Sequence, residues 1–303
     1  MPAYLDNAAT TRVCPEAARA ALEAMTEGFG NPSARYAAGQ AAAARVAEHR
    51  AAVARRLGCD PAELTFTSCG TEGDNWAVRA AAEHGRRQGR HIITTAIEHA
   101  AVLEPVKALA AQGYEVTYLK PDRAGRVSVD ELRAALREDT VLVSMMLVNN
   151  ELGTLQPVAQ AAQAIRDAGS PALLHCDAVQ GFLKVPFTPA RLGVDMLTLS
   201  GHKLRAPKGI GVQYIRKGLN LKPLLLGGGQ EGGLRSGTEP TAQIAALAAA
   251  CDAWGEDYPA RISELKEYAL EALSALPGLE IVSRGDAPHI CAVSLPGYPS
   301  EML

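Results

Sequence analysis

A lysine follows a run of residues that is typical of a buried strand. Residues 194–199 are mostly apolar, and Ser200, Gly201, His202 and Lys203 come directly after them. An amine at the mouth of a buried strand is partly desolvated, which prepares it to form a Schiff base with an aldehyde cofactor. The serine and the histidine suit a phosphate group, and the glycine lets the backbone approach it closely. A lysine at a strand end is more often a solvated surface residue, so both interpretations stay open.

A second polar motif, at residues 67–72, joins a predicted strand to a predicted helix. The free amides and the positive dipole at a helix start can bind phosphate, and the Thr71 hydroxyl adds a donor. The simpler alternative is that Ser68 or Thr71 caps the helix.

A carboxylate and an amide follow another predicted strand, at Asp177 and Gln180. A buried carboxylate facing a pyridine nitrogen would keep that nitrogen protonated, so that the ring remains an electron sink. Gln180 could donate a hydrogen bond to the phenolic oxygen of such a ring. The alternative is that Asp177 caps the turn after its strand.

Three further motifs have a chemical and a structural interpretation each. His99 ends a predicted strand, where an imidazole could stack on a ring and move protons near neutral pH; it could equally be structural or solvated. Residues 148–153 offer an amide at a strand end or a simple glycine turn. Residues 227–238 contain a glycine-rich stretch with a guanidinium and a hydroxyl, or form a flexible surface loop.

Strands and helices alternate along the chain and must position these motifs. The predicted strands are 64–68, 91–95, 114–119, 141–148, 173–176, 196–199 and 211–214. The predicted helices are 17–25, 39–57, one from about 71, 101–112, 129–136, 158–168, 241–254 and 262–276. Such alternation predicts an α/β fold with a mainly parallel sheet, covered by helices on both faces. Ligands collect at the carboxyl ends of the strands in such sheets, and the motifs fall there.

Composition excludes several classes of protein. A chain of 303 residues can form one large domain and a smaller one, and we expect the second lobe to begin near Tyr258. The net charge of -3 gives no reason to expect nucleic acid or an anionic membrane as a partner, and no apolar run is long enough to span a bilayer. The six scattered cysteines form no C-x-x-C pair, which argues against a zinc site and favours a reducing cytoplasm. No metal site is expected.

Together the motifs resemble those of a known family, the cysteine desulfurases. The matching segments are Leu5 to Thr11, Gly30 to Ser33, Thr71-Glu72 with Asp74-Asn75, Glu98-His99, Asn149 to Glu151, Asp177 to Gln180, Ser200 to Lys203 and Arg235 to Thr238. The resemblance implies a pyridoxal-phosphate enzyme of the class V aminotransferase group, with an aspartate-aminotransferase-like fold (fold type I). It implies a large cofactor-binding domain at 13–257, and an incomplete small α+β domain formed by 1–12 and 258–303.

The resemblance also implies a role for each matching residue. Lys203 would carry pyridoxal 5'-phosphate and later move the alpha proton of the substrate, while His99 would stack over the ring. Asp177 would pair with the ring nitrogen and Gln180 with the phenolic oxygen. The other predicted cofactor contacts are Asn150 beside the ring and Gly70, Thr71, Ser200, Gly201 and His202 around the phosphate, with Thr238 reaching across from the second subunit of a homodimer.

The implied reaction converts L-cysteine to L-alanine and passes the sulfur on as a persulfide. The acceptor would be an iron–sulfur scaffold protein or a tRNA-thiolation relay. The nucleophilic cysteine of the family lies in a flexible C-terminal loop that has no counterpart here, and residues 299–303 read as the first turn of a helix. We therefore expect these 303 residues to bind the cofactor but to be poor at sulfur transfer.

Two alternatives stay open. A selenocysteine lyase or another class V aminotransferase-like enzyme would use the same fold and cofactor. A non-catalytic cofactor-binding scaffold protein would keep the site without turning over cysteine.

Overall fold

The computed structural model describes residues 4–299, and a seven-stranded sheet forms the centre of this part of the chain. Its strands are β1 (Leu64–Thr67), β2 (His91–Thr95), β3 (Glu115–Leu119), β4 (Thr140–Ser144), β5 (Leu173–Asp177), β6 (Met196–Ser200) and β7 (Gly211–Ile215). They lie in the order β1-β7-β6-β5-β4-β2-β3. β7 is antiparallel to both neighbours and the other pairs are parallel. The predicted mainly parallel α/β fold is confirmed.

Helices cover both faces of this sheet. They are α1 (Pro15–Thr26), α2 (Ala37–Leu57), α3 (Gly70–His84), α4 (Ala100–Ala110), α5 (Val129–Ala135), α6 (Val158–Asp167), α7 (Pro189–Leu192), α8 (Thr241–Asp252) and α9 (Tyr258–Ser274). Successive strand residues point to opposite faces, so each strand supplies both cores. In β6, Met196 packs in the core that contains Trp76 of α3, whereas Leu197 packs in the core that contains Val53 of α2.

The strand predicted at 141–148 is correct only as far as Ser144, where β4 ends; the prediction for 145–148 is wrong. Residues 145–148 stay buried, and the amides of Met145 and Leu147 still donate to carbonyls of β5. Val148 instead forms an antiparallel bridge with Leu155. The chain therefore turns back at this point and brings the next residues to the carboxyl end of the sheet.

The C-terminal part contains α9 and a two-stranded antiparallel sheet of β8 (Glu280–Ser283) and β9 (Ala292–Ser294). Lys266 of α9 fixes the β8–β9 loop, because its Nζ donates to the carbonyls of Gly285 and Ala287 at 2.7 and 2.8 Å. The domain boundaries at residues 12 and 258 stay a prediction, and most of the helical turn predicted at 299–303 lies outside the described residues. Between residues 4 and 299, no helix is both long and apolar enough to cross a bilayer.

Candidate functional site

A cavity of about 560 Å³ opens at the carboxyl ends of the parallel strands. Nine of the residues that the sequence singled out line it: Gly70, Thr71, His99, Asn150, Asp177, Gln180, Ser200, His202 and Lys203. Their strands are separated in sequence, but they end at one edge of the sheet. The fold therefore gathers these residues around one cavity, as is expected for a ligand site at the carboxyl ends of parallel strands.

Two of the predicted site residues do not line this cavity. Gly201 is buried behind it, where an added Cβ would lie 2.7 Å from Cγ2 of Ile210. Thr238 lines a separate cavity of about 150 Å³ with Phe66 and Arg235. The prediction that Thr238 serves a partner subunit, like the roles of the other site residues, remains a prediction.

The start of α3 forms one end of the cavity. Cys69 is its N-cap and makes no side-chain cap hydrogen bond, so the alternative that Ser68 or Thr71 caps the helix is wrong. The first amides of the helix lack intrahelical partners and carry its positive dipole end. A Cβ on Gly70 would lie 3.0 Å from Cγ2 of Val179, which leaves little room for a side chain there. This end of the cavity is suited to bind an anion.

His202 lines the cavity and is held in place by the N-terminal segment. Its carbonyl accepts hydrogen bonds from the amide and the hydroxyl of Thr11, at 2.9 and 2.7 Å. Its Nδ1 lies 3.2 Å from the Thr10 hydroxyl. Burial, helped by the charge of Lys203, lowers the pKa of His202 to about 4. The imidazole is therefore neutral at pH 7 and can offer a ligand in the cavity a hydrogen bond but no charge.

The amine of Lys203 lies in the cavity and is held by backbone carbonyls. Its Nζ donates to the carbonyl of Ala9 at 2.7 Å and to that of Ala8. Burial lowers the pKa of Lys203, while Asp6 and Asp177 act in the opposite direction. No role was predicted for these two alanines, because a carbonyl ligand leaves no signature in residue type.

Asp177 ends β5 and is buried. Its Oδ1 accepts a hydrogen bond from the Val179 amide at 2.9 Å, so it caps the turn as the structural alternative predicted. The second carboxylate oxygen is left to interact with a group in the cavity, so Asp177 can cap the turn and bind a ligand at the same time. Burial raises the pKa of Asp177, and burial together with the Asp177 charge raises the pKa of Asp74 well above its usual value.

Glu98 is a buried carboxyl for which the sequence predicted no role. Its Oε1 accepts hydrogen bonds from the Thr95 hydroxyl at 2.7 Å and the Met146 amide at 2.8 Å. Its Oε2 is buried with no partner among residues 4–299. Burial raises the pKa of Glu98 to about 8, so this carboxyl is mostly protonated at pH 7. Within the same residues, no group of three or more His, Cys, Asp or Glu side chains could hold a metal ion.

His99 and Asn150 complete the lining. Nδ1 of His99 accepts a hydrogen bond from the Ala101 amide at 3.1 Å, so the neutral ring carries its proton on Nε2. The neighbouring Asn149 has a structural role, because its Oδ1 accepts from the amides of Glu151 and Leu152 at 3.1 and 2.8 Å. Asn150 itself lines the cavity.

The six cysteines are free thiols in different surroundings. Cys176 and Cys251 are fully buried, and burial raises the pKa of both thiols. Cys69 alone among the cysteines of residues 4–299 lines the cavity, and it lies at the start of α3. The structure thus places a thiol at the end of the cavity that is formed by the start of α3 and is suited to bind an anion.

Known proteins resemble the chain over most of its length. The family described as aminotransferase class-V matches residues 3–303. Cysteine desulfurase 2 of Trichormus variabilis is 49% identical over 82% of this chain and 62% of its own length. Cysteine desulfurase IscS of Methanosarcina thermophila is 44% identical over 90% of this chain and 68% of its own length. The chain therefore spans slightly less than two thirds of the first of these relatives.

Solved structures share the fold. A NifS-like protein superposes with a TM-score of 0.96 at 38% identity, covering 100% of this chain and 84% of its own. SspA in complex with cysteine superposes with a TM-score of 0.88 at 34% identity, covering 97% of this chain and 84% of its own.

The cavity fits pyridoxal phosphate, the cofactor of class V aminotransferases. The free amides of α3 and the Ser200 hydroxyl suit its phosphate, and the buried carboxylate of Asp177 suits its ring nitrogen. The partly desolvated amine of Lys203 suits its aldehyde. An anion-binding end, a carboxylate and an amine thus line one cavity, as this molecule requires.

Proposed function

Because the chain belongs to the class-V aminotransferase family and to its cysteine desulfurases, we propose that it acts on L-cysteine, yielding L-alanine and sulfur bound as a persulfide. The observation that carries this proposal is the partly desolvated Lys203 amine, which lines the same cavity as the buried Asp177 at the strand ends. The cysteine complex of the related SspA supports the choice of substrate. The free thiols fit a reducing compartment, for which we propose the cytoplasm.

When bound, pyridoxal phosphate supplies an electron sink that stabilises negative charge at the substrate's Cα. The chain's own residues then bind, orient and move protons. Asp177 would hold a proton at the ring nitrogen, and the NH₂ group of Gln180 would donate to the phenolic oxygen. Lys203 Nζ would take the proton from Cα and return a proton to carbon, which its lowered pKa favours. His99, with its proton on Nε2, would lie against the ring.

The sulfur must leave on a thiol. In the proposed step a thiolate attacks the substrate sulfur, so that the C–S bond breaks, an S–S bond forms and the released carbon takes up a proton. Cys69 lies at the start of α3, at the end of the cavity that suits the cofactor phosphate, so we do not assign it this role. The expectation that these 303 residues transfer sulfur poorly stays a prediction, as do a homodimer and an acceptor protein of an iron–sulfur or tRNA-thiolation system.

The test separates proton transfer from sulfur transfer. The protein with pyridoxal phosphate is incubated with L-cysteine in D₂O, and exchange of the Cα proton is followed by NMR. We expect exchange that falls by a factor of about 1,000 in Lys203→Ala, on the scale of losing a general base. Lys217→Ala, at an exposed lysine that does not line the cavity, is the matched control and should exchange at the parent rate.

A second arm adds dithiothreitol as an external thiol and measures alanine and sulfide. Exchange with L-cysteine that persists in Lys203→Ala would contradict the role of Lys203. No exchange with L-cysteine, but exchange with other amino acids or selenocysteine, would overturn the substrate in favour of another class V activity. A bound cofactor with no exchange of any amino acid would favour a scaffold protein.

A further inference from the structure

A half-buried histidine of the C-terminal loop contacts the cavity through another residue. His289 lies between β8 and β9, and its Nε2 is 3.3 Å from Oε1 of Gln180. Nε2 of Gln180 in turn donates to the carbonyl of Ala8 at 2.9 Å. The same carbonyl accepts a hydrogen bond from Lys203. A chain of hydrogen bonds therefore runs from the C-terminal part of the molecule to the amine in the cavity.

The direction of each hydrogen bond follows from the acceptor at Ala8. A backbone carbonyl can only accept, so the NH₂ group of Gln180 must face Ala8 and its oxygen must face His289. Nε2 of His289 must therefore carry a proton. Nδ1 of His289 is then a bare acceptor, and it is buried without a partner among residues 4–299.

The surroundings keep His289 neutral. Burial, with the charges of Lys184, Lys266 and Lys203, lowers the pKa of His289 to about 2. Lys184 is itself buried, with an Nζ that has no hydrogen-bond partner in the described part of the chain. A neutral imidazole with its proton on Nε2 and none on Nδ1 has a single donor, and that donor faces Gln180.

We propose that His289 is a positioning residue that fixes the orientation of the Gln180 amide, so that its NH₂ group faces both the Ala8 carbonyl and the cavity. One hydrogen of this group is used by Ala8, and the other remains for an acceptor in the cavity. This inference rests on the proposed function, in which that acceptor is the phenolic oxygen of the cofactor. Without His289, only the Ala8 carbonyl still holds the amide, so the rotated amide that presents its oxygen to that acceptor, and would repel it, becomes more populated.

The first readout needs no cofactor. Long-range ¹H–¹⁵N NMR of the histidine rings in the cofactor-free protein should show His289 as the neutral tautomer protonated on Nε2, unchanged between pH 8 and pH 5. Its assignment comes from the signal that disappears in His289→Leu. A ring protonated on Nδ1, or one that titrates near pH 6.5, would overturn the proposal whether or not cysteine is turned over.

The second readout is the visible absorbance of the bound cofactor as a function of pH. Loss of a donor to an anionic oxygen should raise the midpoint of the spectral change by roughly 0.5 unit or more in His289→Leu. His289→Asn retains a donor and should restore most of the parent midpoint, whereas the surface variant His84→Leu should not change it. A shift in His289→Asn as large as in His289→Leu would overturn the proposal.

A double-mutant cycle distinguishes positioning from a general loss of structure. In a Gln180→Ala background, the further change His289→Leu should leave the midpoint unchanged, because the amide that it orients is gone. Additive shifts would contradict action through Gln180. If no variant binds pyridoxal phosphate, the proposed function fails, and the NMR tautomer still decides whether His289 holds Gln180.

Discussion

At the two ends of the central sheet, ionisable side chains of the same kinds differ in whether they are paired with an opposite charge and exposed to water. At the end where β6 begins, Arg216 forms an ion pair with Asp195 at 2.8 Å, and Asp195 also accepts from the Leu174 amide at 2.8 Å. The Arg216 side chain is 52% exposed, so water solvates its charge. Charges at this end are paired and hydrated, as is usual for groups that serve structure.

At the carboxyl end, Asp177 and Glu98 are buried and Lys203 is partly desolvated. In the described part of the chain, none of these three forms an ion pair within 4 Å. Burial raises the pKa of the two carboxyl groups and lowers that of the amine, and each shift favours the neutral form. Unpaired buried groups cost stability, and active sites commonly retain them for a ligand. Asp177, Glu98 and Lys203 thus lack the partner charge that Asp195 and Arg216 give each other.

The largest expected difference is between the two aspartates. Asp177→Asn should slow Cα-proton exchange by roughly 100-fold, the scale of losing one charged group at a reacting centre, without lowering the melting temperature of the cofactor-free protein. Asp195→Asn should leave exchange unchanged and lower the melting temperature, because Asp195 holds Arg216 and the Leu174 amide. Equal exchange rates in the two variants would contradict the assignment of Asp177 to function and Asp195 to structure. NMR and thermal unfolding provide the two measurements.

A second prediction concerns the pH dependence of stability. The pKa of Glu98 is about 8 in the folded chain, against 4.5 for a glutamate in water, so between these pH values the folded state binds the extra proton. Its contribution to stability is then lost as the pH rises from about 5 to 8. Glu98→Gln cannot ionise, so relative to the parent its free energy of unfolding should increase by about 1 kcal/mol per pH unit over this range.

Urea unfolding of the cofactor-free protein at pH 5, 6, 7 and 8 measures this difference. The matched control is Glu138→Gln, since Glu138 is exposed and should show no such trend. A parallel pH dependence in Glu98→Gln and the parent would show that Glu98 is ionised in the folded chain.

The smallest effect is expected at the paired end. Arg216→Ala removes an exposed ion pair and should lower the free energy of unfolding by less than about 1 kcal/mol. Cofactor absorbance and exchange should remain at the parent level. A change in either would mean that the two ends of the sheet are coupled. Urea unfolding at low and high salt, beside the exchange assay, measures both.

The sequence predicted most of the fold because each element has its own local pattern. β2 was predicted at 91–95 and lies at His91–Thr95, and the α6 prediction ends one residue late. The β4 error has a physical cause, since residues 145–148 are as apolar as the strand before them. Hydrophobicity records burial, whereas the end of the ladder depends on the turn that pairs Val148 with Leu155.

For the candidate site, the sequence by itself determined which side chains stand at the ends of strands, since parallel strands present those ends at one edge. Only the tertiary structure decided what holds them. The carbonyls of Ala8 and Ala9 hold the Lys203 amine, and no residue type encodes a carbonyl ligand. Burial of Glu98 and the contact of His289 with Gln180 depend on segments far apart in the chain. Desolvation is a property of everything packed around a group, so it emerges only when the chain has folded.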